Sequence, residues 1–391
     1  MKVATGEEKA DLAIINARLL NVYSGELLDG YSVGIKGKWI AYVGNDPKNI
    51  IGTKTEVLDT NGRTIIPGLI DGHTHLAFFV NAYEFLKFAM KGGTTTIITE
   101  TLEALPVGGY EGLMDFISSM SDQPIKIFAT ATVMASISET ARGISIETIK
   151  KLINRSDILG IGESYWQSVL QEPDRILPLF NETLLAGKVL EGHSAGAKGN
   201  KLMAYIAAGI SSCHEPINAE EALERLRLGL HVMIREGSVR RDLEAISKIK
   251  DRGVDLRRLI LVSDGLEPKD LIEKGGMEFI VQKAINCGFD PITAIQMATL
   301  NVAEHFALDN LIGGIAPGRY ADLVMIPDPN TIEAQYVISN GRIIAQEGRI
   351  LISPIQHAFS KKSLNSISLP RRFYPSDFKI TIKDDSKKVE V

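Results

Sequence analysis

Residues 12–20 form an almost unbroken apolar run that closes on the turn Tyr23-Ser24-Gly25-Glu26. Val33 and Ile35 alternate with small or polar residues, and Lys36-Gly37-Lys38 precedes another apolar run ending at Val43. A period of two predicts short strands joined by tight turns. Asn61-Gly62, set between Val57-Leu58 and Ile65-Ile66, predicts a β-hairpin, because both residues of that dipeptide tolerate a positive φ. The same texture returns late in the chain. Apart from Asp322, Ala321–Ile326, Tyr336–Ile338 and Ile343-Ile344 are apolar, with Asn340-Gly341 between the last two. Residues 1–66 and 312–352 are therefore expected to build one small, discontinuous β-domain.

Between them, residues 67–311 change period. Short apolar runs at 94–98, 125–132, 158–162, 188–190, 209–211, 231–234 and 259–262 alternate with helical stretches such as 219–228 and 291–307. Repeated βα units imply a parallel sheet. With the run before His73 there are eight candidate strands, the number that closes a (β/α)8 barrel. Residues 353–391 are polar, with Pro354, Pro370 and Pro375, and read as a tail or as the start of a further domain.

Composition narrows the picture. The 391 residues are 45% apolar and 23% charged, enough for a sizeable core. A net charge of -5 gives no general attraction to nucleic acid or to an anionic membrane. Two cysteines, Cys213 and Cys287, cannot build a disulfide framework. Glu7, Glu8 and Asp11 stand where a signal peptide needs an apolar segment, and no apolar run is long enough to span a bilayer. A cytoplasmic protein is expected.

The chemistry clusters at the ends of the barrel runs. His73 and His75 are spaced i and i+2, which in a strand turns both imidazoles to one face and toward one metal. Glu163, His193, His214 and Asp264 follow later apolar runs, and in a parallel barrel such positions converge on one rim. Taken singly, Asp264 also reads as a helix cap and Glu163 as an exposed turn residue. A His and carboxylate set suits Zn, Mn or Fe alike. His231, His305 and His357 lack supporting neighbours and are read as non-ligands. Cys213 is read as a buried thiol. No paired-cysteine zinc motif and no Walker or Rossmann glycine motif is present.

The H-x-H strand, mid-barrel acid, two single histidines and final Asp resemble the amidohydrolase superfamily. Three stretches are similar to the adenine deaminase family in particular: Gly192–Gly196 with Ala204–Ile210 and His214-Glu215, then Val232–Ser238, then Thr293–Asn301. The ending Gly318–Leu323 is shared more widely in the superfamily, and the resemblance covers roughly residues 10–350. It implies two divalent metals, manganese or iron by family association, with His73, His75 and Asp264 on one, His193 and His214 on the other, and Glu163 bridging. Asp264 would also act as general base. Glu236 and Glu103 would bind the substrate, while Arg235, of opposite strand parity to Glu236, would be structural. Tyr165 and Trp166 would either stack a base or pack at the rim. The implied substrate is a purine base and the implied assembly a homo-oligomer.

Leu76-Ala77-Phe78-Phe79 stands where the family has Ile-Glu-Ser-Ser, and Glu100-Thr101-Leu102-Glu103 where it has Asp-Pro-His-Glu. Gly265 and Glu267 replace a second Asp and a His, and Phe378–Ile382 resemble the beginning of the family's C-terminal domain. The expected function is hydrolytic deamination of adenine or a related amino-heterocycle. Hydrolysis of a cyclic or linear amide, and a catalytically silent paralogue, are the alternatives.

Overall fold

A computed structural model describes residues 1–133, 145–365 and 369–379 of the chain. Five N-terminal strands, β1 (Leu12–Asn21), β2 (Glu26–Lys36), β3 (Trp39–Gly44), β4 (Glu56–Asp59) and β5 (Thr64–Pro67), come first. Eight strands separated by helices follow: β6 (Leu69–Thr74), β7 (Thr94–Thr99), β8 (Lys126–Ala131), β9 (Ile158–Tyr165), β10 (Val189–His193), β11 (Ser212–Cys213), β12 (His231–Arg235) and β13 (Leu259–Val262). Then come β14 (Leu323–Ile326), β15 (Tyr336–Ser339), β16 (Arg342–Gln346) and β17 (Arg349–Ile350).

Strands from both ends of the chain share one sheet of order β17-β16-β15-β14-β5-β1-β2-β3, with β4 also paired to β1. Leu19, Val33, Ile35, Ile65, Leu323 and Ile338 form its buried apolar face. The Asn340-Gly341 hairpin is present: both residues have positive φ, 50° and 73°, and Ser339 faces Arg342.

The Asn61-Gly62 hairpin is not formed. Those residues turn with φ of 52° and 81°, but β4 and β5 both run parallel to β1 instead of pairing with each other. The loop is tied to a break in β1 at Asn16, whose carbonyl accepts from Gly62 N–H (3.0 Å) and from the Thr60 hydroxyl (2.8 Å). A lone two-stranded ribbon is marginal in water, and the edge of the longer strand β1 offers two more ladders.

The middle strands form parallel ladders in two groups, β10-β9-β8-β7-β6 and β11-β12-β13. Backbone bonds approach across both gaps. Ser211 N–H donates to Leu190 O (2.9 Å), and Asp264 N–H to His73 O (3.0 Å). Inside, Ile70, Ile98, Leu159, Met233, Ile260 and Val262 pack against Val302, Ala303 and Phe306. These last come from a helical stretch that breaks in two, Pro291–Met297 and Leu300–His305, because Thr299 leaves helical geometry at φ -141°, ψ -88°.

The described part of residues 353–379 is not a free tail up to Ser363. Asp115, on the helix Ala104–Ser119, accepts from His357 Nε2 (2.7 Å), Ser360 N–H (2.9 Å) and the Ser363 hydroxyl (2.5 Å). Gln123 and Ile355 exchange two bonds of 2.8 Å. Pro375–Phe378 is a single 3₁₀ turn, and the expected domain start from residue 380 onward lies outside the described residues.

Candidate metal centre

The rim is held in place by the backbone before any ligand is considered. β6 shifts register between Asp71 and Thr74, next to His73. Asp71, fully buried, accepts from Ser263 N–H (3.1 Å) and the Ser263 hydroxyl (2.5 Å). Burial pushes its carboxyl up to about 6, while the Ser263 bonds pull the other way. That clasp ties β6 to the end of β13. Asp264 then takes φ 55°, a left-handed conformation that a non-glycine residue rarely adopts. Such strain persists where surrounding structure dictates it, often at functional sites. Glu163 lies within β9 and is buried, so it is no turn residue, and Asp264 caps no helix.

Five strands, β6, β9, β10, β11 and β13, and the loops that follow them bring the side chains together. Glu163 Oε1 lies 3.3 Å from His73 Nε2, 3.3 Å from His75 Nε2 and 2.9 Å from His214 Nε2. Its other oxygen lies 3.3 Å from His193 Nδ1. Asp264 Oδ1 stands 3.3 Å and 3.5 Å from the Nε2 atoms of His73 and His75. Glu215 Oε1 closes the other side, 2.7 Å from His214 and 3.2 Å from His193. His73 Nε2, His193 Nδ1 and Glu215 Oε1 are buried there without a hydrogen bond of acceptable geometry.

The donor set therefore fits a cation. Buried polar atoms without partners are costly, and imidazole with carboxylate is a divalent-metal ligand set. Among the described residues two sub-clusters qualify, His73-Glu163-His214-Asp264 and His193-His214-Glu215. In the chain by itself, burial and His214 oppose protonation of His73, but the carboxylates of Asp264 and Glu163 outweigh them and raise it to about 9. Burial also opposes charge on Glu215, yet His214 and His193 bring it to about 2. A cation binding here displaces protons.

Residues 64–344 match the model of the amidohydrolase family. The chain belongs to the amidohydrolase family. Within it the chain is 36% identical over 397 residues to the adenine deaminase of Moorella thermoacetica, covering all of this chain and 66% of that one. It is 36% identical over 354 residues to the adenine deaminase of Cenarchaeum symbiosum, covering 89% and 58%. The chain thus spans about three-fifths to two-thirds of the length of these relatives. Among solved structures, the β-aspartyl dipeptidase of Fervidobacterium islandicum AW-1 is similar in fold, with a TM-score of 0.66, 17% identity and 87% and 97% of the two chains covered. Molinate hydrolase follows at 0.65, 18%, 86% and 95%.

In this amidohydrolase the six residues singled out by strand position meet, and each of the two carboxylates expected on the substrate is held through one oxygen while its other oxygen is buried without a hydrogen-bond partner. Glu103 Oε1 lies 2.5 Å from His75 Nδ1, so it orients a cluster histidine. Glu236 pairs with Lys283 Nζ at 2.6 Å. The parity expected for β12 is reversed: Met233 is in the inner core, and Arg235 stands 3.7 Å from Asp264 Oδ2, clamped on Asp242 Oδ2 (2.9 and 3.0 Å). Burial pushes the Cys213 thiol up to about 11, which leaves it inert. Trp166 is turned aside, its indole N–H donating to Ala195 O (2.8 Å). Tyr165 lies against His193, with ring centroids 4.4 Å apart.

Three acids escaped the sequence reading. Glu215 adjoins His214 in sequence, and that adjacency was a usable signal. Glu100 is buried, 3.6 Å from His73 Nδ1, and burial lifts it to about 7. Glu191 lies 2.6 Å from His305 Nε2, and His305 Nδ1 lies 3.1 Å from His231 Nδ1. His357 pairs with Asp115.

Proposed function

We propose that this chain is a metal-dependent hydrolase that deaminates adenine or a related amino-heterocycle, on the rim of a closed (β/α)8 barrel of residues 67–311. Residues 1–66 and 312–352 would form its β-domain. His73, His75 and Asp264 would hold one divalent cation and His193 and His214 the other, with Glu163 between them. Glu215 is an additional candidate on the second side. Manganese or iron is favoured, zinc also suits the donors. The observation that carries this is the carboxylate of Glu163, one oxygen toward His73, His75 and His214 and the other toward His193. The similarity to adenine deaminases supports the substrate. A homo-oligomer rests on family analogy, and a cytoplasmic setting on the charged N-terminal residues Glu7, Glu8 and Asp11. No helix among the described residues is long and apolar enough to cross a membrane.

Bound there, divalent cations lower the pKa of a water molecule and polarise the group under attack. Asp264 would take a proton from the attacking water and deliver it to the departing amino group, with Arg235, 3.7 Å from its outer oxygen, orienting it. Glu103 keeps His75 turned with Nε2 inward. The net change is water adding to the amino-bearing carbon and ammonia leaving.

Ammonia release from adenine by Mn(II)-reconstituted protein, with Glu163→Ala as control, tests this. Turnover abolished in the control supports site and substrate together. A second reading, hydrolysis of a cyclic or linear amide, draws on the engagement of one oxygen of Glu103 by His75 and one of Glu236 by Lys283, which leaves a single oxygen on each for a substrate. Turnover of lactams but not of aminopurines would favour it, and metal loading without any turnover would favour a silent paralogue.

A further inference from the structure

Tyr165 ends β9 two residues after Glu163, and strand alternation turns both side chains to one face. Its ring is half-buried and tilted 49° to that of His193. Glu163, His75, Glu215 and Glu100 all act electrostatically on its hydroxyl. His193 in turn lies 3.3 Å from Glu163 and 3.2 Å from Glu215, so the ring borders the cluster. A phenolic hydroxyl carries its proton at neutral pH and is available as a donor.

The backbone beneath is fixed. The Tyr205 hydroxyl donates to the Ser164 carbonyl and accepts from His193 N–H (2.8 Å). A donor held this way needs no reorganisation at the moment of reaction.

We infer that Tyr165 is a catalytic hydrogen-bond donor, its hydroxyl aimed at the electronegative atom bonded to the carbon under attack. The inference rests on the hydrolytic function proposed above. In an amino-heterocycle that atom is the ring nitrogen of the N=C–NH₂ unit. Water oxygen bonds to the carbon, the C=N π pair moves onto the ring nitrogen, and Tyr165 stabilises it there without giving up its proton. One water proton passes through Asp264 to the amino group, which leaves as ammonia when the C–N bond breaks. The other ends on the ring nitrogen of the lactam product. Atoms and charge balance without a further reactant.

The test uses the full chain reconstituted with Mn(II), comparing Tyr165→Phe with Trp166→Phe, a rim control. Tyr165→Phe keeps the ring on His193, and metal content is measured in both. With adenine, kcat is expected to fall about 10²–10³-fold in Tyr165→Phe, with KM changed by less than about threefold. Binding of purine, which keeps that ring nitrogen unprotonated and has no amino group to lose, is expected by calorimetry to weaken about fivefold in Tyr165→Phe, the size of one lost hydrogen bond. Unchanged kcat, or equal losses in both variants, overturns the inference. If the wild type turns over no aminopurine, the proposed function fails separately and calorimetry decides: equal purine affinities in wild type and Tyr165→Phe, or no binding by the wild type, overturn the role of Tyr165.

Discussion

Replacing Glu103 separates a carboxylate that reads substrate from one that holds a metal ligand. Its Oε1 lies 2.5 Å from His75 Nδ1, with the side chains only 19% and 14% exposed. That contact fixes the ring with Nε2 toward Glu163 and Asp264, at 3.3 and 3.5 Å. Glu103→Ala leaves the imidazole free to rotate and removes a bond to an ionised partner, a loss of about 1.5–3 kcal/mol. Loss of such an outer partner elsewhere lowers metal affinity about 10–100-fold, or about 1.4–2.7 kcal/mol, so the two routes agree. Glu103→Gln keeps an acceptor but not the charge, and should sit near the tenfold end. The assay is competition for Mn(II) against a chelator, read by metal content, with adenine KM measured on fully loaded protein. A wild-type metal affinity with a raised KM would refute the reasoning and return Glu103 to the substrate.

Two further outcomes test the scaffold. A Cβ on Gly237 would lie 1.9 Å from the carbonyl oxygen of Ser263, next to Asp264, so Gly237→Ala must displace backbone and should cost about 1–3 kcal/mol in urea unfolding; an unchanged midpoint would contradict that packing. His231 is lowered to about 3 by burial, then by His305 and Arg258. Its folded pKa lies below the unfolded value, so its contribution is present above about 6.5 and is lost as pH falls toward 3, at up to about 1.4 kcal/mol per pH unit. His231→Gln should flatten the denaturant midpoint between pH 6.5 and 4.5 by about one proton's worth, and an unchanged slope would sink the assignment.

What the sequence made legible follows from where each residue sits on its strand. His73, Glu163, His193, His214 and Asp264 close or follow apolar runs, and in a parallel sheet the end of a strand has a fixed direction whatever its register. Their convergence needed no knowledge of which face each residue takes. Glu236 and Arg235 did need it. β12 reads His231-Val232-Met233-Ile234-Arg235, apolar on both faces because helices cover one and the barrel interior fills the other, so no alternation reveals which way Arg235 points. Asn61-Gly62 failed for a related reason: the dipeptide specifies a turn, which is present, but the partner strand is chosen by the long-range edge of β1. Glu191 and His305 are 114 residues apart, and only the docking of the helix Leu300–His305 into the interior joins them. Metal-type residues at strand ends are thus readable from one sequence, whereas the groups that orient them depend on which of two buried faces they occupy. Arg235 belongs to that second kind, while Glu103 stands in the turn between β7 and the helix Ala104–Ser119, where periodicity assigns no direction to a side chain.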